Sequence, residues 1–212
     1  MMSDWKTGLK LVRYAYQVKI NLVFAVFFFI IGIFLFCLGE EYIIMGAAWS
    51  LLGVLYVNHL LFSLEFAGII ASSPKRTVLA FSTQDMTVAV EGILVYTILI
   101  GIEEIKTGIF LKAERKELLL TAFLMLFLLL LYIGAAYRLF VFGMIMLCAL
   151  AVLCPWAGFT LTRLVSLHTG EIYLIGFVLI LIGIALNCII RRAIYRMPMS
   201  KLAAGGGLRK YL

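Results

Sequence analysis

The strongest constraint on this chain is a set of apolar runs, each about as long as a bilayer is thick, with no charge inside. Ile20 to Leu38 and Ile172 to Ile190 contain no Asp, Glu, Lys or Arg. A helix needs roughly 20 mostly apolar residues to cross the hydrocarbon core. The whole chain of 212 residues is 65% hydrophobic with a mean hydropathy of +1.12. That is more apolar surface than a soluble domain of this length can bury. The runs are continuous and do not alternate with period two, so a closed β-barrel is excluded in favour of membrane-spanning helices. The expected class is all-α, a polytopic membrane protein with six spans.

Segmentation follows from charge. Residues 4–17 form a basic amphipathic segment, with Trp5, Leu9, Val12 and Tyr16 on one helical face and Lys6, Lys10, Arg13 and Gln17 on the next. Such a helix lies in the plane of an anionic leaflet; the plainer alternative is an extension of the first span. Span one is read at Ile20–Leu38, span two at Tyr42–Leu64 and span three at Met86–Ile102. Span four is read at Leu118–Ala136, span five at Leu139–Cys154 and span six at Ile172–Ile190. Arg138 marks a turn, because one helix from 118 to 161 would be about twice the bilayer thickness. Pro155 interrupts the helix, and the apolar stretch 155–171 reads as a re-entrant segment. The whole chain is one membrane domain: residues 1–18 the N-terminal helix, 19–190 the spans and 191–212 a basic tail. The stretch Ala203-Ala204-Gly205-Gly206-Gly207 reads as flexible. The first run is too long for a secretory signal and has no small-residue cleavage site.

The net charge of +7 is not a nucleic-acid signature, because the basic residues cluster beside apolar runs. With the N-terminus inside, the inner segments hold thirteen Lys and Arg and the outer ones five. The positive-inside rule therefore puts both ends in the cytoplasm of a plasma membrane. The segment 103–117, with four acids and four bases, is the outer connection most able to overturn that orientation.

Few residues carry chemistry. There is no HExxH, no GxSxG and no phosphate-binding glycine loop. Glu40-Glu41 and Glu103-Glu104 lack the arginine that an intramembrane protease motif requires, and Asp4 and Asp85 are the only aspartates. Cys37, Cys148, Cys154 and Cys188 lie in or beside apolar runs, form no CxxC pair, and read as packing residues. The chain is therefore read as no enzyme, with no cofactor of its own. Within the spans, Asn58, His59, Glu91 and Asn187 stand out, since intramembrane polar groups are costly and by default point to function. Together they form a candidate translocation path. Their structural alternative is interhelical hydrogen bonding, for example Glu91 to Asn58 or His59.

The loop from 71 to 86 is the most informative stretch. Ser72 or Ser73 suits a helix cap and Pro74 its first position. Lys75 and Arg76 would face water, and Val78, Leu79 and Phe81 would give an apolar side. Ser82 or Thr83 would cap span three. The expectation is a short, separate cytoplasmic helix between two spans; the alternative is a turn lying on the lipid surface.

These features together resemble the type-2 class of ABC transporter permeases, in their compact form from Gram-positive bacteria. The stretch from Ser63-Leu64-Glu65-Phe66 through Ser72-Ser73-Pro74-Lys75-Arg76 carries the resemblance by residue, over about 15 positions. The rest rests on architecture. The resemblance implies an elbow helix at Asp4–Val18, a coupling helix at Ser73–Phe81 and a re-entrant piece at Pro155–His168. It implies a partner ATPase subunit carrying ATP and Mg, and a second permease chain, identical or related. Ser73, Pro74, Lys75, Arg76, Val78 and Leu79 would form the ATPase-coupling loop, with Lys75 and Arg76 pairing acids and Val78 and Leu79 entering a groove. The apolar, aromatic composition favours a hydrophobic or amphipathic cargo, a peptide or lipid.

Two other readings compete. One is the substrate-binding membrane subunit of an energy-coupling-factor vitamin importer, which docks through small residues on its first span; here only Ala25 and Gly32 are small. The other is a non-transporting assembly or immunity protein.

Overall fold

The computed structural model describes residues 2–15, 17–39, 42–66, 74–107, 113–135, 138–139 and 168–197, and scattered positions between 143 and 160. Among these there is no strand, and the elements are helices in the order α1 (Met2–Leu11), a 3-10 turn (Val12–Tyr14), α2 (Val18–Leu38), α3 (Ile43–Phe66), α4 (Arg76–Thr107), α5 (Ala113–Ala135) and α6 (Thr169–Ile194). Five of them, α2 to α6, are long and apolar enough to cross a membrane. The protein is an all-α, membrane-embedded bundle with a short N-terminal helix. Span five, the re-entrant piece and most of the basic tail lie largely or wholly outside the described residues, as does Ser73.

The N-terminal helix is separate from the first span. The chain breaks at Gln17, whose φ of 50° and ψ of 37° are left-handed, and α2 starts at the next residue. No continuous helix can pass through that conformation. Helix α1 docks on α4: Trp5 Nε1 donates to Thr87 Oγ1 at 3.3 Å, and Gly8 lies flat against the Thr83 side chain. Its buried positions are thus set by contact with α4, and Leu9, expected on the apolar face, is exposed.

Helices α2 and α3 pair along small residues. Gly46 touches the backbone of Phe36 and Gly32, and Gly53 touches the carbonyl of Ala25. In a bilayer, where lipid chains remove the hydrophobic drive between helices, such close backbone approach supplies the association. The outer face of α2 (Val23, Ile30, Phe34) stays exposed, as a lipid-facing helix requires. Helix α5 is the most buried, through Leu119, Phe123, Leu126 and Leu130. It packs on α6, where Gly176 receives the Phe123 ring and Gly134 receives Asn187. Helix α6 opens on a capping box, with the His168 backbone N–H donating to Glu171 Oε2 at 2.7 Å.

Two expectations are corrected. The separate helix at 73–81 does not form: Arg76 begins a single helix of 32 residues that runs to Thr107. Ser82 and Thr83 do not cap span three; they are buried within α4, and Thr87 Oγ1 bonds back to the Thr83 carbonyl at 2.7 Å. No Gly or Pro interrupts residues 75–91, so nothing forces the helix to end, and Gly8 of α1 lies against Thr83. The 103–117 connection is also shorter than expected. Glu103 lies in α4 and is 0% exposed, held by Arg115 of α5 through two bonds of 3.0 Å. Pairing removes most of the cost that burial of either charge alone would carry.

Candidate functional site

Charges divide the bundle into layers. One end, here the basic end, gathers the starts of α2 and α4 and the ends of α3, α5 and α6. The opposite end holds the Glu103–Arg115 pair. Asp85 and Glu103 are eighteen residues apart on α4, or about 27 Å at 1.5 Å per residue. That matches a hydrocarbon core of about 30 Å.

At the basic end the polar residues form a linked set. Asp85 accepts from Arg191 Nη1 at 2.9 Å and from Arg192 Nη2 at 3.1 Å. Arg191 is 4% exposed and also donates to Asn187 Oδ1 at 2.8 Å. Asn187 in turn donates to the Leu130 carbonyl, so one chain of bonds joins α4, α6 and α5. Beside it, Glu65 of α3 accepts from Arg138 at 2.6 Å and from Gln84 at 3.5 Å. Arg138 also reaches the Met197 carbonyl and lies 5.1 Å from the Tyr195 ring. The Tyr195 ring packs at a tilt against Phe81, centroids 4.8 Å apart. The set fastens four helices at one level.

These ion pairs do not emerge from a residue-by-residue reading. A signal for them exists in the topology: Glu65 and Asp85 are acids at span ends expected on the side where thirteen bases gather, so both were bound to meet arginines.

Deeper in the bundle, Asn58 Nδ2 donates to Glu91 Oε2 at 2.6 Å and to the Val54 carbonyl at 2.9 Å. Glu91 lies six residues beyond Asp85, about 9 Å further along α4. The remaining acceptors, Glu91 Oε1 and Asn58 Oδ1, are buried with no hydrogen-bond partner among the described residues. Glu91 borders a cavity of ≈ 260 Å³ between α2, α3 and α4, whose other walls are apolar, among them Ala25, Phe29, Gly53, Val57 and Leu94.

Of the four path candidates, the structure brings Asn58 and Glu91 together. His59, one residue on, faces elsewhere, lining a second cavity of ≈ 370 Å³ with Asn21, Tyr56 and Tyr132. Asn187 belongs to the basic-end lock. Among the loop candidates, Lys75, Arg76 and Val78 are exposed, Val78 by 48%. Pro74 sits in the turn before α4 and is exposed. Leu79 is 5% exposed, buried with Ala15, Leu60, Leu64 and Ala80. Leu11 and Val12, at the end of α1 and the start of the 3-10 turn, pack beside it. Among the described residues no group of three His, Cys, Asp or Glu side chains could hold a metal ion.

The chain matches no protein-family model, no curated protein and no solved structure.

Proposed function

We propose that this chain is the permease subunit of an ATP-driven exporter, moving a hydrophobic or amphipathic cargo, a peptide or lipid, across the plasma membrane. ATP and Mg reside on a separate ATPase subunit, and a second permease chain completes the transporter. The basic end faces the cytoplasm, as the positive-inside rule requires, and both termini lie there.

The observation that carries this reading is helix α4. Its exposed first turn, Lys75 to Val78, projects from the basic end, and the same unbroken helix carries Glu91 beside the apolar cavity. A force applied to the tip reaches Glu91 without crossing a joint. The coupling element is thus the tip of a span and not a separate helix, with Lys75, Arg76 and Val78 as its contact residues. The energy-coupling-factor alternative loses its docking surface, because Ala25 and Gly32 are spent inside the chain against Gly53 and Gly46.

The test is affinity purification from the native host in mild detergent, followed by ATPase assay in liposomes. An ATPase subunit should co-purify, and reversing both charges (K75E with R76E) should weaken its capture at least about tenfold, since like charges at an interface cost several kcal/mol. Both side chains are exposed, so the spans should melt unchanged. Purification of the chain without any ATPase, or undiminished coupling in the double variant, would sink the proposal.

A further inference from the structure

The second cavity, of ≈ 370 Å³ between α2, α3 and α5, is amphipathic. Its volume falls in the range of small-ligand pockets, about 300–1,000 Å³. Its wall on α3 is Leu52, Leu55, Tyr56 and His59, a spacing that puts all four on one face of the helix. The polar members stand toward the basic end and the leucines toward the bilayer centre. Asn21, three residues into α2, and Tyr132, three residues before the end of α5, complete the polar part. Among the described residues no Lys, Arg, Asp or Glu lines this cavity. The Tyr56 and Tyr132 hydroxyls make no hydrogen bond among the described residues, and neither is sealed off by packing. The Tyr56 ring itself is held in place by Phe24 and Phe28, with centroids at 5.6 and 5.2 Å. Polar groups at membrane depth need partners, so these two hydroxyls define what an occupant must bring.

We infer that this cavity binds the head of an isoprenoid quinone, with its carbonyl oxygens accepting from the Tyr56 and Tyr132 hydroxyls and its tail leaving past Leu52, which is 39% exposed. A quinone is neutral, as a wall without ionised side chains requires. Its two carbonyl oxygens are acceptors only, and each phenolic hydroxyl can donate. Its head is a flat ring, and three of the six wall residues, Tyr56, His59 and Tyr132, present flat rings to pack against it. A phosphate head would find no cation on the wall. A quaternary ammonium could lie on the aromatic faces, but it accepts no hydrogen bond and would leave both hydroxyls without a partner. A long-chain alcohol brings one oxygen and no ring. The inference goes beyond the permease reading, and the binding needs this chain alone.

The experiment uses the full chain in phosphatidylcholine nanodiscs and a radiolabelled decyl-substituted benzoquinone, with empty nanodiscs subtracted. Saturable binding of one quinone per chain is expected. Decylbenzene, which keeps ring and tail without carbonyls, and decyltrimethylammonium should compete at least about tenfold more weakly, because neither accepts the two hydrogen bonds. Tyr56→Phe combined with Tyr132→Phe removes both hydroxyls and should weaken binding at least about tenfold for the same reason. Its melting should stay unchanged, since neither hydroxyl bonds within the described residues. Leu52→Trp, which fills the cavity from an exposed position, should abolish binding. Should the tyrosine variant fail to fold, the competition series and Leu52→Trp still decide. Equal competition by decylbenzene, wild-type affinity in the tyrosine variant, or uptake no greater than empty nanodiscs would each overturn the inference. Tighter competition by decyltrimethylammonium than by unlabelled quinone would overturn it in favour of an aromatic cation site. None of these outcomes alters capture of the ATPase, and a chain that captures no ATPase can still bind the quinone, so the two proposals fail separately.

Discussion

Removing Asp85 should damage the bundle more than removing the arginine it holds. The asymmetry follows from exposure. The side chains of Asp85 and Arg191 are 9% and 5% exposed, whereas that of Arg192 is 60% exposed. In Asp85→Leu, Arg192 turns to water at little cost, because exposed pairs are worth about 0–1 kcal/mol. Arg191 cannot follow and is left as a buried charge supported only by Asn187. Breaking a buried pair this way costs about 3–5 kcal/mol. In Arg191→Met, Asp85 keeps Arg192 at 3.1 Å, and only Asn187 Oδ1 loses its donor, for about 1–3 kcal/mol. The double variant strands no charge and should also lose about 1–3 kcal/mol, since only Asn187 is left short. Melting of the purified chain in detergent reads these values. A domain of 150–250 residues shifts by about 2–4 °C per kcal/mol, so Asp85→Leu should melt roughly 6–20 °C lower. The double variant should recover about half of that. A double variant as damaged as the sum of the singles, within about 0.5 kcal/mol, would refute the coupling and with it the role of this pair in fastening α4 to α6.

Two further perturbations test the helix joints. Gln17→Gly should raise stability by about 0.5–1 kcal/mol, since the left-handed conformation costs an L-residue roughly 1–2 kcal/mol and glycine returns part of that through unfolded-chain entropy; an unchanged or lower melting temperature would contradict the φ of 50° at this position. Gly46→Ala should destabilise by more than about 2 kcal/mol, because a Cβ there would meet Phe36 N at 2.6 Å and Gly32 O at 2.7 Å, both backbone atoms. Gly101→Ala is the control: nothing lies within 4 Å, so helix propensity alone should make it stabilising by about 0.5–1 kcal/mol. Similar melting of the two variants would exclude close α2–α3 packing.

The spans were legible wherever lipid alone sets the pattern. Ile20–Leu38 falls within α2 and Ile172–Ile190 within α6, because both are apolar on nearly every face and bounded by charge. Legibility failed where a charge lies inside a helix. Hydropathy scores each charge singly, so Glu103 read as the end of span three. Its partner Arg115 is twelve residues on, and only the pair is tolerable in a buried site. Ser82 and Thr83 read as caps because hydroxyls compete for backbone bonds, yet both are buried within α4 and α1 covers Thr83, a contact no local pattern encodes. Leu79 is buried beside Ala15, Leu60 and Leu64 whereas Val78 is exposed, a division set by tertiary packing and not by any local pattern. Within the candidate site, Asn58 with Glu91 was one of several pairings open to the sequence. Separating His59 from them needed the rotation of α3, since adjacent residues on a helix point about 100° apart.

The packing places the cavity at a seam. Helix α4 is fastened to α1 through Trp5 and Gly8 and to α6 through Asp85. Helix α2 is fastened to α3 through interlocked glycines. Between these two units Leu60 and Leu64 of α3 pack on Leu79 and Ala80 of α4, and two side-chain hydrogen bonds cross, Asn58 to Glu91 and Gln84 to Glu65. The ≈ 260 Å³ cavity lies along this seam. In the proposed permease, a push on Lys75 and Arg76 would slide the α1–α4–α6 unit past the α2–α3 pair, and the first bond to break would be the one that holds Glu91. Cargo release is then tied to the same motion that the ATPase drives. Charge reversal at the α4 tip (K75E with R76E) should therefore leave the melting temperature intact while abolishing capture of the ATPase. A loss of both would mean that the tip and the seam are one folding unit and not a lever and its load.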